Sequence, residues 1–117
     1  MLKVYGIPNC NTVKKAREWL ESNGVAYEFH DFKKQGLDAA TAETWLNQQP
    51  WEKLINRAGM TWRGLGEDAK SSIKDSISAM PLMLEKTSVI KRPVLVQDNK
   101  ILALGFDETT YGKLFLK

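Results

Sequence analysis

Residues 2–29 read LKVYGIPNCNTVKKAREWLESNGVAYEF, and this stretch decides the fold. Leu2–Gly6 has the alternation of a short strand, and the Ile7-Pro8-Asn9 segment after it is typical of a loop. From Asn11 or Thr12 the apolar residues recur with helical spacing, and Gly24 is suited to end that helix. Residues 25–29 then have the composition of a second strand. A strand, a helix and a second strand in this order predict a right-handed βαβ unit with parallel strands.

The middle of the chain predicts helices, and the end returns to sheet. Asp38 is a candidate N-cap, Pro50 suits a first helical position, and a further apolar helical face ends at Pro81. Residues 93–96 and 100–104 predict a hairpin, which Asp107 follows as the N-cap of a last helix. The order is therefore β-α-β, a helical insert at about residues 37–88, and β-β-α. This is the thioredoxin-like order, an α/β fold with a mixed four-stranded sheet, and we expect residues 1–117 to form a single domain.

Composition excludes several classes of function. The 17 basic and 14 acidic residues are interleaved, so the net charge of +3 provides no concentrated surface for nucleic acid. No apolar stretch is long enough to span a membrane, and the N-terminus lacks the apolar core of a secretion signal. One cysteine and one histidine cannot form a disulfide, a Cys-x-x-Cys pair or a Cys/His zinc site. We expect a cytoplasmic protein with no metal, no nucleic-acid partner and no membrane contact.

The single thiol is Cys10, at the start of the first predicted helix. A helix N-terminus offers unpaired amide groups and the positive end of its dipole, and both favour thiolate over thiol. Lys14 and Lys15 lie one turn further on and add positive charge. The alternative is a small buried core residue, which the polar neighbours Asn11 and Thr12 argue against. With Val13 where a second cysteine would stand, any turnover requires an external thiol, and glutathione is the abundant cytoplasmic one.

A second informative segment is Ile90-Lys91-Arg92-Pro93-Val94, which enters a strand of the predicted hairpin. Thioredoxin-like folds carry a cis-proline at such a place, opposite the reactive loop. The guanidinium of Arg92 is suited to hold an oxyanion or a carboxylate. The alternative is that Lys91 and Arg92 belong to a solvated loop.

Residues 6–17 (GIPNCNTVKKAR), 54–63 (LINRAGMTWR) and 90–94 (IKRPV), in this joint spacing, resemble the arsenate reductase (ArsC) family. The similarity is nearest to its YffB-like branch, which is related also to the Spx regulators. The resemblance implies that Cys10 is the nucleophile and that Arg92 binds an anion beside Pro93. It offers Arg57 as a further anion-binding residue, with Arg63 a weaker candidate.

The sequence departs from that family at two places. The family's histidine four residues before the cysteine is Gly6 here, and its third arginine is replaced near Gly105. A glutathione-dependent thiol–disulfide oxidoreductase is therefore expected before an arsenate reductase. Cys10 is its catalytic residue, and Asn11, Thr12, Arg57, Arg92 and Pro93 bind the substrate. Its partners are glutathione, as co-substrate, or a glutathionylated or small oxyanion substrate, with glutaredoxin as a further partner. The alternatives are true arsenate reduction and a non-catalytic, Spx-like regulator that binds RNA polymerase.

Overall fold

A computed structural model describes residues 1–116. Its four strands are β1 (Leu2–Gly6), β2 (Tyr27–Asp31), β3 (Val94–Gln97) and β4 (Lys100–Leu104). The helices are α1 (Asn11–Ser22), α2 (Phe32–Gln35), α3 (Ala39–Gln48), α4 (Trp51–Leu54), α5 (Met60–Arg63), α6 (Glu67–Ser72), α7 (Ser76–Glu85) and α8 (Glu108–Phe115), with a 3-10 turn at Thr87–Val89.

The four strands form one mixed sheet in the order β2-β1-β3-β4. β1 runs parallel to β2, with Val4 opposite Phe29, and antiparallel to β3, with Val4 opposite Leu95. β3 and β4 form the predicted hairpin, whose two turn residues Asp98 and Asn99 both have positive φ, as a tight hairpin turn requires. The mixed four-stranded α/β fold predicted from the sequence is confirmed.

The strand predicted at residues 25–29 begins two residues later. The amide of Gly24 donates to the carbonyl of Glu21 at 3.2 Å, and that of Val25 donates to the carbonyl of Leu20 at 2.9 Å. These two bonds, with φ of +69° at Gly24, close α1 in the Schellman pattern. Because Val25 still serves the helix end, β2 starts only at Tyr27.

Residues 1–35 and 92–116 form one compact unit, in which one face of the sheet packs on α1 and α8. The buried side chains of this core come from strands and helices alike: Leu2, Val4, Ala16, Leu20, Leu95 and Tyr111. Alternation along β1 places Leu2 and Val4 on this face, and the 3.6-residue period places Ala16 and Leu20 against them. This packing fixes the end of β1 and the start of α1.

Residues 36–91 form a second compact unit, which contains the helical insert predicted at about 37–88. Asp38 caps α3 as predicted, accepting the amide of Thr41 at 2.7 Å. Pro50 was predicted to be the first residue of a helix, but it is the N-cap of α4, which begins at Trp51. That residues 1–117 form a single domain stays a prediction, and Lys117 lies outside the described residues.

The prediction that Pro81 ends a helix is wrong. Asp75 and Ser78 form a capping box, so a new helix starts at Ser76 and runs through Pro81 to Glu85. Pro81 has no amide hydrogen to donate to the carbonyl of Ile77, one turn earlier. Because Ile77 and Pro81 are exposed, water can solvate that carbonyl and the helix continues.

Candidate active site around Cys10

Cys10 is the N-cap residue of α1. Its backbone is extended, with φ of −85° and ψ of 126°, and its carbonyl accepts the amide of Lys14 at 2.9 Å. Its own amide donates to the carbonyl of Ile7 at 3.1 Å, which closes the loop between β1 and α1. The thiol is half-buried and belongs to no disulfide. The sequence therefore places a partly accessible sulfur at the first turn of a twelve-residue helix.

The pKa of the Cys10 thiol lies below its ordinary value of 9.0. Burial alone raises it, but hydrogen bonding to the Val13 amide, the hydrogen bond and charge of the Arg92 guanidinium, and the Thr12 amide together outweigh burial. The expected contributions of Lys14 and Lys15 are not among these causes, since both side chains are exposed on the outer face of α1. The thiolate is thus stabilised by two helix-terminal amides and one guanidinium.

Arg92 and Pro93 lie where the chain enters β3. Arg92 is half-buried with its Nε atom inside the protein, Pro93 is buried, and the peptide bond between them is cis. The carbonyl of Pro93 accepts the amide of Gly105 at 2.8 Å. The carbonyl of Gly105 in turn accepts the hydroxyl of Tyr111 at 2.7 Å, and burial raises the pKa of that hydroxyl. A hydrogen-bonded chain from α8 thus supports the segment that carries Arg92.

Of the two other predicted residues of α1, Thr12 acts on the thiol through its backbone. Asn11 and Thr12 are the first two residues of the helix, and both are exposed. The Thr12 amide acts on the thiol, while Asn11 presents its side chain to solvent. Sequence reasoning missed Val13, whose amide also acts on the thiol. The general rule that the first amides of a helix lack intrahelical partners would have identified it.

Val13 also occupies the space beside Gly6. A Cβ atom added at Gly6 would lie 2.9 Å from Cγ2 and 3.2 Å from Cγ1 of Val13, and Val13 is fully buried. Gly6 is where the resembling reductases carry a histidine, and a side chain there meets Val13. Gly105, near the place of their third arginine, has φ of +81°, a conformation that favours glycine. The packing of Val13 therefore favours glycine at position 6, and the backbone conformation favours glycine at position 105.

Arg57 belongs to the second compact unit, within residues 36–91. It is exposed, and its guanidinium carbon lies 5.3 Å from the ring centroid of Trp51. The rings of Trp51 and Trp62 are 6.4 Å apart, centroid to centroid. Arg57 thus lies over the Trp51 ring of this tryptophan pair. Arg63 is exposed at the end of α5.

Within residues 1–116, no cluster of three or more histidine, cysteine or acidic side chains is suited to hold a metal ion. The same residues contain no helix that is both long and apolar enough to cross a bilayer.

Comparisons with known proteins agree on one family. The ArsC family profile matches residues 5–114. A solved structure named YffB is 41% identical, covers 97% of each chain and has a TM-score of 0.90. An arsenate reductase (ArsC) related protein from Brucella melitensis is 51% identical, covers 97% of this chain and 93% of its own, with a TM-score of 0.78. The global transcriptional regulator Spx of Streptococcus agalactiae is 27% identical over 92% of this chain and 78% of its own.

Proposed function

The chain belongs to the ArsC family, and from this premise we propose that it is a glutathione-dependent thiol–disulfide oxidoreductase with Cys10 as its single nucleophile. The observation that carries the proposal is the lowered pKa of the Cys10 thiol beside Arg92. A lowered pKa increases the fraction of thiolate near neutral pH, and the thiolate is the nucleophile in disulfide exchange.

The proposed reaction has two exchanges. The Cys10 thiolate attacks the glutathione sulfur of a glutathionylated substrate, a Cys10–glutathione disulfide forms, and the substrate leaves as a thiolate that takes up a proton. A second glutathione, as its thiolate, then attacks the glutathione sulfur of that disulfide. Oxidised glutathione forms and the Cys10 thiolate is released. In the net reaction the substrate sulfur is reduced to a thiol and the sulfur of one glutathione is oxidised, while the glutathionyl group that passes through Cys10 stays at the disulfide level throughout.

The residues around the thiol have distinct proposed roles. Arg92 stabilises the Cys10 thiolate both as nucleophile and as leaving group, and it can bind a carboxylate of the glutathionyl group. The buried Pro93 segment offers backbone groups to an extended substrate, and Asn11 and Thr12 border the sulfur. Arg57 is proposed as a further carboxylate-binding residue. Because glutathione and reduced thiols characterise the cytoplasm, we propose that compartment.

Arsenate reduction is the second candidate, and the family and the Brucella relative favour it. A tetrahedral dianion needs several charged donors, and the loss of one typically costs about 1.5–3 kcal/mol of binding. Gly6 stands where the resembling reductases carry a histidine, and their third arginine is replaced near Gly105. The carboxylates of a glutathionyl disulfide lie away from its sulfur atoms, so its binding requires fewer cations at the Cys10 thiol. We therefore favour the glutathione-dependent reaction over arsenate reduction.

The decisive experiment combines an adduct and a turnover measurement. Reduced protein is incubated with oxidised glutathione and analysed by mass spectrometry. A glutathionylated peptide is then supplied with glutathione and glutathione reductase, and NADPH oxidation is followed. We expect one glutathione adduct on Cys10 and steady turnover. Cys10→Ser should abolish both, and Arg92→Ala should slow both at pH 7.

Lys91→Ala is the matched control, because Lys91 is an exposed cation next to Arg92 that does not act on the thiol. It should behave as the wild type. No adduct and no turnover would refute the proposal. Turnover of arsenate with glutathione and glutaredoxin, without peptide deglutathionylation, would establish the second candidate. Capture of RNA polymerase that Cys10→Ser leaves unchanged, with no turnover, would favour an Spx-like regulator.

A further inference from the structure

Pro93 interrupts the hydrogen-bond ladder between β3 and β4. Val94 lies opposite Leu104 in the hairpin. The next pair is therefore Pro93 and Gly105, and the amide of Gly105 donates to the carbonyl of Pro93 at 2.8 Å. In a hydrogen-bonded antiparallel pair each residue donates to the other. Because proline has no amide hydrogen, the return bond to the carbonyl of Gly105 cannot form.

The hydroxyl of Tyr111 supplies the missing bond. It donates to the carbonyl of Gly105 at 2.7 Å, and both residues are buried. A buried carbonyl without a donor destabilises the fold, so this bond completes the end of the ladder that the proline leaves open. Burial raises the pKa of Tyr111, so the hydroxyl stays protonated and remains a donor throughout the pH range in which Cys10 ionises.

Tyr111 is itself held in place by its own helix and by α1. Its amide donates to the carbonyl of Asp107 at 2.9 Å, in the first turn of α8. Its ring packs edge to face with those of Trp19 and Phe106, whose centroids are 5.6 and 5.0 Å away. Trp19 belongs to α1, the helix whose N-cap residue is Cys10. One side chain therefore joins the helix of the thiol to the end of the β3–β4 ladder.

Arg92 depends on this arrangement because it directly precedes Pro93 in the chain. Its guanidinium supplies a hydrogen bond and a charge that favour the Cys10 thiolate. A charge-assisted hydrogen bond is strong only in good geometry, and it weakens steeply when its atoms are misaligned. A shift of the Pro93 backbone therefore changes the contact between Arg92 and the sulfur.

We propose that Tyr111 is a positioning residue of the thiol site: its hydroxyl supplies the hydrogen bond that Pro93 cannot make, and it thereby keeps Arg92 beside Cys10. Tyr111 acts through the Gly105–Pro93 pair and not on the sulfur itself. Its contribution to turnover rests on the proposed function, whereas its effect on the reactivity of the thiol does not.

The test is Tyr111→Phe in the full chain, which removes the hydroxyl and keeps the ring and its packing; circular dichroism verifies the fold. The pH profile of alkylation by iodoacetamide measures the pKa of Cys10. We expect this pKa to rise towards 9.0 and alkylation at pH 7 to slow by about two- to tenfold, since one pKa unit is about a tenfold change in the thiolate fraction. Turnover of a glutathionylated peptide should fall by a similar factor.

Tyr27→Phe is the matched control, because it removes another hydrogen-bonded hydroxyl from the same compact unit. The hydroxyl of Tyr27 accepts the Nε hydrogen of Arg17 at 3.0 Å and donates to Glu21 at 2.7 Å. None of these groups acts on the Cys10 thiol. This variant should therefore keep the wild-type pKa of Cys10 and the wild-type alkylation rate.

A second background tests whether the effect passes through Arg92. In Arg92→Met, the further substitution Tyr111→Phe should leave the pKa of Cys10 unchanged, because the guanidinium that the hydroxyl positions is absent. An unchanged pKa of Cys10 in Tyr111→Phe alone would overturn the proposal. An equal rise of that pKa in the wild-type and Arg92→Met backgrounds would overturn it as well.

Two further readouts separate the possible failures. In wild-type protein, proton NMR should show a slowly exchanging hydroxyl hydrogen on Tyr111, and rapid exchange would contradict the proposal whether or not the variant folds. Alkylation requires no glutathione. If Tyr111→Phe raises the pKa of Cys10 but the wild type does not turn over the glutathionylated peptide, the positioning role is supported and the proposed function is refuted.

Discussion

The contact between Gly6 and Val13 predicts that the smallest possible side chain at position 6 is harmful. In Gly6→Ala, the new methyl group would lie 2.9 Å from Cγ2 of Val13. Val13 is fully buried and β-branched, so it cannot turn away without leaving its rotamer. Overpacking of this kind costs about 1–3 kcal/mol. Replacing a glycine inside a strand stabilises the fold by about 0.5–1 kcal/mol, so we expect a net loss of stability of up to about 2.5 kcal/mol.

A double-mutant cycle separates the steric clash between positions 6 and 13 from the other effects of the two substitutions on the free energy of unfolding. Val13→Ala alone is destabilising, because it removes two buried carbons and leaves a cavity. In the Val13→Ala background the methyl group of Gly6→Ala has space, and the substitution should be neutral or stabilising. The coupling between the two positions is therefore expected to be about 1–3 kcal/mol. Urea unfolding of the four proteins, with thiols kept reduced, measures it.

Gly112→Ala is the matched control for the glycine replacement itself. Nothing lies within 4 Å of a Cβ atom at Gly112, which is inside α8. This variant should be stabilised by about 0.5–1 kcal/mol. Equal effects of Gly6→Ala in the wild-type and Val13→Ala backgrounds would refute the steric reasoning. A stabilised Gly6→Ala variant would refute it as well.

Three further predictions concern the thiol and its surroundings. Arg92→Met should move the pKa of Cys10 towards its ordinary value of 9.0 and slow alkylation by iodoacetamide at pH 7; Lys91→Met should leave the rate unchanged. The pKa of Cys10 is lower in the folded than in the unfolded chain, so the thiolate adds stability that is complete above pH 9.0 and is lost as pH falls through the folded pKa. In urea titrations, the stability of the wild type relative to Cys10→Ser should therefore rise with pH up to about 9 and then stay constant; a flat difference would contradict it. Gly105→Arg places a side chain at φ of +81° and should lower the unfolding free energy by about 1–3 kcal/mol, so a variant of wild-type stability that gains arsenate turnover would contradict the conformational argument.

The sequence was sufficient to predict those helices, strands and turns whose boundaries depend on residues close together in the chain. Gly24 ends α1 because its left-handed conformation closes the helix, and the Asp98-Asn99 turn defines the hairpin. Cys10 and Arg92 were identified because one lies at a predicted helix start and the other beside a proline at a predicted strand start. In each case the neighbouring residues contain the physical reason.

Features that depend on neighbours distant in sequence could not be predicted in this way. The limit that Val13 sets on Gly6 follows from the packing of β1 on α1, and the supporting bond from Tyr111 to Gly105 follows from the position of α8. Pro81 was expected to end a helix because a local rule was applied without its context. The capping box at Asp75 starts α7 later, and burial of Ala79 and Met83 stabilises the helix through the proline.

The choice of substrate depends on the charged groups next to the Cys10 thiol more than on the net charge of +3 of the whole chain. Among the described side chains, Arg92 is the one whose charge lowers the pKa of Cys10. The Cys10 thiolate and the Arg92 guanidinium carry opposite unit charges, so an approaching anion meets a pair with no net charge. A dianion at the sulfur therefore gains little net attraction. A disulfide brings neutral sulfur to the thiolate and keeps its carboxylates further away, which supports the proposed disulfide exchange over attack on an oxyanion.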